Sequence, residues 1–146
     1  MENNSMGKFY EVKVSVRKMM ENGMEKAVKE LYLLKAYSFT EAETMMIEYI
    51  GKYAKEFAVV GIKIANYSEF LYHGGEDDTT YFRCKVNLIT LDEKSGKEKM
   101  TPVYYLVDAK DIDSAKENLT TALQGTMQDY TVESIAETKI VDYIAE

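Results

Sequence analysis

Apolar and polar residues alternate in two segments of the chain that lie 72 residues apart. The apolar members of the two segments are Tyr10, Val12, Val14 and Val16, and then Phe82, Cys84, Val86 and Leu88. Strict alternation is typical of a β-strand that buries one face. A turn with a glycine follows each segment, at Gly23 and Gly96, and a second apolar segment comes next. Each half of the chain therefore predicts a β-hairpin at its start.

A helix start follows each hairpin. We expect Thr40 to be the first N-cap, with Glu43 completing a capping box, and Asp113 to be the second. Phe39 and Ile112 would then precede the caps as hydrophobic staples. Both helices carry apolar residues at helical spacing, which predicts one buried face for each. These residues are Ala42, Met45, Met46, Tyr49, Ile50 and Tyr53, and then Ala115, Leu119, Ala122 and Leu123.

A third strand is predicted after each helix, over residues 57–67 and 130–143. In these strands the apolar parity slips after Val59 and after Val132, so we expect a β-bulge at the same place in both. Pro102 has no N–H to donate to a ladder, which predicts an edge or a strand entry where it lies.

The two halves of the chain also align with each other. Residues 23–71 match residues 96–144 without a gap at a constant offset of 73, and nine of the 49 positions are identical. We therefore predict an α+β fold with an internal pseudo-repeat of two ββαβ units. It would have about six strands and two helices, in antiparallel or mixed sheet with the helices on one face. A right-handed crossover places the first strand of each unit between the other two. One continuous sheet and two packed layers both remain open.

A length of 146 residues predicts a single domain over residues 1–146. Within it we place one unit at about 8–72, an acidic connector at 73–80 and a second unit at about 81–144. One cysteine excludes an internal disulfide framework, and no apolar stretch is long enough to cross a membrane. A cytoplasmic protein without membrane contact is expected.

No group of residues in the sequence corresponds to a reaction. It has no nucleotide-binding glycine motif, no paired-cysteine zinc spacing and no recognisable nucleophile with its base, so we expect no enzyme, no cofactor and no metal. Cys84 occupies a core-facing position and is interpreted as a buried hydrophobe. His73 and the glycines and acids after it are interpreted as a solvated connector rather than a cation site.

The candidate binding residues come from a place where the two halves differ. Asn66, Tyr67, Ser68 and Glu69 form a polar run at the end of the first half. The aligned residues of the second half differ at all four positions: Lys139, Ile140, Val141 and Asp142. Tyr104 is the fifth candidate, because consecutive tyrosines in a strand point to opposite faces and one of them must leave the helix-covered core. Tyrosines on such a face can anchor a protein or stack on bases.

Charge adds two further candidates. The chain has 18 Lys and Arg against 25 Asp and Glu, a net charge of −7, which argues against coating nucleic acid by charge alone. Lys13 and Arg17 nevertheless belong to a locally basic hairpin that could contact phosphates. The same residues are equally well explained as solvated charges that protect an edge strand.

These observations predict a non-enzymatic binding or interaction protein that assembles with itself as a homo-oligomer and has an unidentified protein or nucleic-acid partner. Two alternatives remain. One is a nucleic-acid-associated accessory protein that uses the basic hairpin and the sheet tyrosines. The other is a binder of a small ligand such as a nucleotide.

Four segments, residues 38–43, 65–69, 91–99 and 125–130, carry a resemblance to a known family. They are similar to the bacterial domain-of-unknown-function family numbered 4494, and the resemblance covers nearly the whole chain. It implies a bacterial or phage origin, in gut anaerobes and their mobile elements, and a single-domain architecture. It transfers no activity, so no residue receives a catalytic role from it.

Overall fold

The computed structural model describes residues 7–74 and 79–145 of the chain, so four connector residues, 75–78, lie outside the described part. The described residues form two helices and eight strands, which confirms the α+β class. The elements are β1 (Lys8–Met19), β2 (Glu25–Ala36), α1 (Phe39–Gly51), β3 (Phe57–Ala65), β4 (Glu69–Leu71), β5 (Thr80–Leu91), β6 (Glu98–Ala109), α2 (Ile112–Leu123), β7 (Asp129–Glu137) and β8 (Ile140–Ile144).

The strands form two separate four-stranded mixed sheets. Their orders are β3-β1-β2-β8 and β7-β5-β6-β4. The first hairpin strand lies between the second and third strands in both sheets, as a right-handed crossover predicts. The outermost pairs, β2 with β8 and β6 with β4, are parallel, and the others are antiparallel.

The count of eight strands, instead of the expected six, comes from breaks in the segments 57–67 and 130–143. Each was predicted as one strand, but the chain leaves the sheet after Ala65 and again after Glu137. The short strands that follow, β4 and β8, pair in the sheet that the other half of the chain begins. The apolar pattern continues through both breaks, and local pattern carries no information on which sheet a strand will join.

The chain consequently divides into two compact units that are not consecutive in sequence. Unit 1 contains residues 1–65 with 139–146, and unit 2 contains residues 66–138. The predicted boundaries, about 8–72 and 81–144, differ from these because β4 and β8 belong with the opposite half of the chain.

In each unit the helix covers one face of the sheet. In unit 1, α1 buries Ala42, Met46 and Ile50 against the apolar side of β1 and β2. In unit 2, α2 buries apolar residues at matching positions, Ala115, Leu119 and Leu123. The apolar alternation of the hairpins therefore marks the helix-covered faces of both sheets.

Cys84 is one of the residues in the core of unit 2. Its side chain is completely buried, and burial raises the pKa of its thiol to about 11. The thiolate is therefore scarce at neutral pH, which agrees with the interpretation of Cys84 as a small hydrophobe.

The N-caps of both helices lie two residues before the expected ones. The Ser38 hydroxyl accepts the N–H of Glu41 at 3.0 Å, and Glu41 in turn accepts the N–H of Tyr37 at 2.7 Å. The predicted N-caps Thr40 and Asp113 are therefore wrong. Before α1, both Ser38 and Thr40 fit the capping pattern, and tertiary packing selects Ser38.

The second cap and the two staple positions change in the same way. Asp111 is the N-cap of α2, where its carboxylate accepts the N–H of Ser114 at 2.8 Å. Phe39 and Ile112 are accordingly the first helical residues and not staples. The Phe39 ring packs edge-on against Tyr10, with 5.1 Å between ring centroids, which ties the start of α1 to β1.

Bulges and turns occur where the sequence predicts them. The register of β3 on β1 shifts so that Val60 is extra, and that of β7 on β5 shifts so that Glu133 is extra. Gly23 and Gly96 have positive φ angles of 84° and 72° in their hairpin turns. Pro102 lies in the part of β6 that pairs only with β5, so its missing N–H interrupts no ladder.

Candidate functional site

The candidate site lies on the helix-free face of unit 2, which we define as the face of the sheet turned away from α2. Side chains alternate along a strand, so Arg83 and Lys85 lie on this face whereas Cys84 lies in the core. Tyr104 pairs with Lys85 and shares its face, and Tyr105 packs into the core below α2. The two consecutive tyrosines therefore point to opposite faces, as predicted.

Four residues form a cluster on this face, which we call the Arg83 cluster: Asn66, Tyr67, Arg83 and Tyr104. The Arg83 guanidinium carbon lies 4.3 Å from the centroid of the Tyr104 ring and 6.0 Å from that of Tyr67. Its Nη2 donates to Asn66 Oδ1 at 3.3 Å. These contacts hold the planar guanidinium against an aromatic face, where a cation–π interaction stabilises it.

The backbone before β4 fixes the cluster to the sheet. Ser68 N–H donates a short 2.6 Å hydrogen bond to the carbonyl of Tyr104. Glu69 then begins β4 opposite Tyr105. The polar run at 66–69 is thus held beside β6 by the same ladder that adds β4 to the sheet.

Arg83 and its neighbour Lys85 differ in their electrostatic environment. The Lys85 ammonium lies 2.9 Å from Glu133, and this contact raises the lysine pKa. Glu133 also accepts from the Asn87 amide at 3.0 Å; this hydrogen bond first, and Lys85 second, lower the pKa of Glu133. Within residues 7–74 and 79–145, no carboxylate lies within 4.0 Å of Arg83. Arg83 is therefore an exposed cation without a counter-ion in the described structure.

This arrangement is suited to recognising a carboxylate or another oxyanion. A guanidinium carries five N–H donors in a planar fork, and Asn66 accepts only one of them. The tyrosine ring restricts the rotamers of the arginine and so lowers the entropy lost when a ligand binds.

The predicted site residues divide between the two units. Asn66, Tyr67 and Tyr104 meet in the Arg83 cluster, and Ser68 supports it through its backbone. Glu69 pairs with Tyr105 and lies on the helix side of the sheet, away from the cluster.

Lys13 and Arg17 belong to β1 in unit 1. The Arg17 side chain lies 3.5 Å from Glu56 and 4.0 Å from Glu25, and its neighbour Lys18 contacts Glu30 at 2.7 Å. Much of the positive charge of this hairpin is therefore neutralised by neighbouring carboxylates.

Arg83 is the member of the cluster that was not predicted from the sequence. A usable signal existed, because the chain has only two arginines and Arg83 occupies an outward position in an alternating strand. The aligned residue of the other half is Glu11, of opposite charge. What sequence cannot supply is its proximity to Asn66 and Tyr67, which depends on where β4 pairs.

His73 and Asp108 form a second polar group in unit 2. Asp108 is only 2% exposed, and its carboxylate accepts the His73 backbone N–H at 2.7 Å. The His73 Nδ1 donates to the Leu71 carbonyl at 2.9 Å. These bonds tie the end of β4 to β6, which gives the residues a structural role. In the part of the chain that the structure describes, no three His, Cys, Asp or Glu side chains are grouped to hold a metal ion.

A family model matches residues 8–146, which is nearly the entire chain. The chain belongs to the DUF4494 family. DUF4494 is a domain of unknown function, so membership confirms the resemblance and assigns no activity. A comparison with curated proteins found no match. None of the helices described for this DUF4494 protein is both long and apolar enough to span a membrane.

Proposed function

We propose that this protein is a non-enzymatic binding protein that recognises a single exposed carboxylate of a protein partner through the Arg83 cluster. The observation that supports this is the exposed Arg83 guanidinium, stacked on Tyr104 and without a carboxylate within 4.0 Å among the described residues. A protein carboxylate matches the fork geometry of arginine and supplies the missing counter-ion. A bacterial or phage origin and a cytoplasmic location remain part of the proposal.

The charge of unit 2 favours a single carboxylate over a polyanion. Unit 2 has seven Lys and Arg residues against fourteen Asp and Glu, whereas unit 1 has eleven of each. A phosphate chain lying on unit 2 would meet more repulsion than attraction. The Tyr104 ring is already covered by Arg83 and Tyr67 is buried, so neither offers a free face for a base.

The chemistry of the cluster favours binding over turnover. Its side chains are an amide, two phenols and a guanidinium. The cluster contains no imidazole, carboxylate or thiol, the groups that most often act as a general acid, a general base or a nucleophile. Its side chains are well suited to donating hydrogen bonds to a bound oxyanion.

Side-chain NMR of the two arginines provides a direct test. The protein is titrated with an acetylated and C-terminally amidated pentapeptide of glycines around one central glutamate, and with the same peptide in which glutamine replaces the glutamate. We expect a saturable shift of the Arg83 Nε–H signal with the acidic peptide only. Arg17, which is already ion-paired, serves as the internal reference.

Two variants complete this experiment. Arg83→Gln should abolish binding of the glutamate peptide, which is followed in this variant through the signals of the peptide itself. Lys85→Gln removes a cation that is already paired with Glu133 and should preserve peptide binding. A flat titration of Arg83 to millimolar peptide, or equal shifts of both arginines, would overturn the proposal.

The nucleic-acid alternative has weaker support, because Arg17 and Lys18 are paired with glutamates. It is tested by fluorescence anisotropy of a labelled single-stranded oligonucleotide at low salt. Binding that is lost on charge reversal at Lys13 and Arg17 would favour it, and no binding at low salt would remove it.

Self-association is also part of the proposal. The outer edge of β3 carries no neighbouring strand among the described residues, so its backbone groups are open to another chain. Native mass spectrometry of the whole chain tests this directly: a homo-oligomer supports it, and a monomer at micromolar concentration contradicts it.

A further inference from the structure

The helix-free face of unit 1 contains a cavity of about 350 Å³. Glu11 and Lys13 of β1, Leu31 of β2, and Val60 and Lys63 at the bulge of β3 line it. We call it the Lys13 cavity. All of these residues belong to unit 1, and none of them belongs to the Arg83 cluster.

The corresponding positions of unit 2 carry larger side chains. At the aligned positions, Tyr104 replaces Leu31 and Glu133 replaces Val60. Both Val60 and Glu133 are the extra residue of a β-bulge, so the comparison concerns the same backbone position. Unit 1 has the smaller side chain at both positions, and both of these side chains line its cavity.

The same replacements change the charge balance. Lys85 is paired with Glu133 at 2.9 Å, but the chain has the apolar Val60 at the position of Glu133 in the unit of its counterpart Lys13. No carboxylate of the described chain lies within 4.0 Å of the Lys13 ammonium. Glu11, the acidic residue of the cavity, is itself paired with Lys63 at 3.4 Å. The cavity therefore combines apolar walls with one uncompensated positive charge.

We propose that the Lys13 cavity binds a small organic carboxylate. The carboxylate would pair with the Lys13 ammonium and take the place that Glu133 has beside Lys85. The apolar part of the ligand would lie on Leu31 and Val60. A volume of about 350 Å³ is at the small end of ligand pockets, which suits a ligand of modest size.

The test uses a matched pair of probes, 4-phenylbutanoate and its uncharged amide, 4-phenylbutanamide. Binding to the full-length protein is followed by NMR shifts of the Gly61 amide and the Leu31 and Val60 methyl groups. We expect saturable shifts with the carboxylate. The amide should bind at least about tenfold more weakly than the carboxylate, because it cannot form a charge-assisted hydrogen bond to Lys13.

The decisive variant is Val60→Glu, which gives Lys13 the carboxylate that Lys85 already has. Val60 is 50% exposed, so the change leaves the core intact, and it should abolish probe binding. Val141→Glu is the matched control: it adds the same charge at another valine of unit 1 that is also 50% exposed, and it should preserve binding.

A second variant tests the volume rather than the charge. Leu31→Tyr introduces the residue found at the equivalent position of unit 2 and should close the cavity. Gly61→Ser tests the volume independently and should also weaken probe binding. The backbone tolerates this change, since a Cβ at Gly61 meets only the Lys13 Cβ, at an ordinary 3.9 Å. Shifts that do not saturate, that are equal for both probes, or that survive Val60→Glu would overturn the proposal. None of these outcomes depends on the Arg83 titration.

Discussion

The two units share a backbone plan but differ on their helix-free faces. Each has a hairpin of two twelve-residue strands, a helix over one face and a bulge in the third strand. In unit 2 the helix-free face carries the stacked Arg83 and the Lys85–Glu133 pair, whereas in unit 1 it carries an open cavity beside Lys13. The buried positions must satisfy the same packing, whereas the exposed positions of the helix-free faces are free of this constraint.

The short outer strands β4 and β8 show a second contrast between the units. In both units the outer parallel strand places an acid opposite a tyrosine, Asp142 beside Tyr32 and Glu69 beside Tyr105. Unit 1 extends this contact, because the Tyr49 hydroxyl donates to Asp142 at 3.3 Å. A network of partly buried phenols thus joins α1 to the outer strand β8 of unit 1.

The largest expected effect tests whether the two cores are equivalent. Met46→Ala and Leu119→Ala each remove a side chain that is completely buried at the same place in its helix. Each should lower the free energy of unfolding by about 2–5 kcal/mol in urea denaturation. Met45→Ala, at a partly buried position, is the control and should cost less. A negligible loss for either buried variant would show that the cores are not equivalent.

The placement of β8 in unit 1 is tested at the buried end of this strand. Ile144 lies in the core of unit 1, and Ile144→Ala should lower the free energy of unfolding by about 2 kcal/mol or more. Val141→Ala on the exposed side of the same strand should change it by less than about 0.5 kcal/mol. Hydrogen exchange should locate the loss in unit 1. Equal effects of the two variants would argue against the placement of β8.

The helix caps give an intermediate effect. Ser38→Ala removes the acceptor for the Glu41 N–H and should cost about 1 kcal/mol in thermal or urea unfolding. Thr40→Ala, inside the first turn, should cost much less. The reverse order would restore Thr40 as the N-cap.

Alkaline pH should weaken unit 1 through its tyrosines. Burial first, and Glu30 and its hydrogen bond second, raise the pKa of Tyr32, and burial also raises that of Tyr49. A raised pKa means that the folded state keeps the proton longer than the unfolded state. The stabilisation is therefore complete below the unfolded pKa, about 10, and is lost as the pH rises above it.

The measurement compares urea midpoints at pH 8 and pH 10.5. We expect a fall in the wild-type protein and a smaller fall in Tyr32→Phe. Tyr53→Phe, at an exposed ring, is the control and should behave as wild type. An unchanged midpoint between the two pH values would contradict this account.

The smallest effect is expected at the hairpin surface. Arg17→Gln breaks ion pairs with Glu56 and Glu25 whose side chains are about half exposed or more. Such pairs contribute little, so the free energy of unfolding should change by less than about 0.5 kcal/mol. A larger loss in urea denaturation would give Arg17 a structural role beyond its charge.

Much of the fold could be predicted because burial leaves a period in the sequence. Alternation located both hairpins, helical spacing located both buried helix faces, and the parity slips located the bulges at Val60 and Glu133. The errors occurred where two local solutions are nearly equal, as at Ser38 and Thr40. The candidate residues Asn66, Tyr67 and Tyr104 were found, but Arg83, which unites them, was not.

By itself, the sequence determined the type and order of the main elements, because each must bury one face and its periodicity records which face that is. Tertiary structure alone decided the partners of β4 and β8, and with them the division into units. Both pairings join residues more than thirty positions apart, for which no local pattern exists. The Arg83 cluster depends on the same long-range pairing, since Asn66 and Tyr67 reach Arg83 only because β4 joins the sheet that β5 and β6 begin.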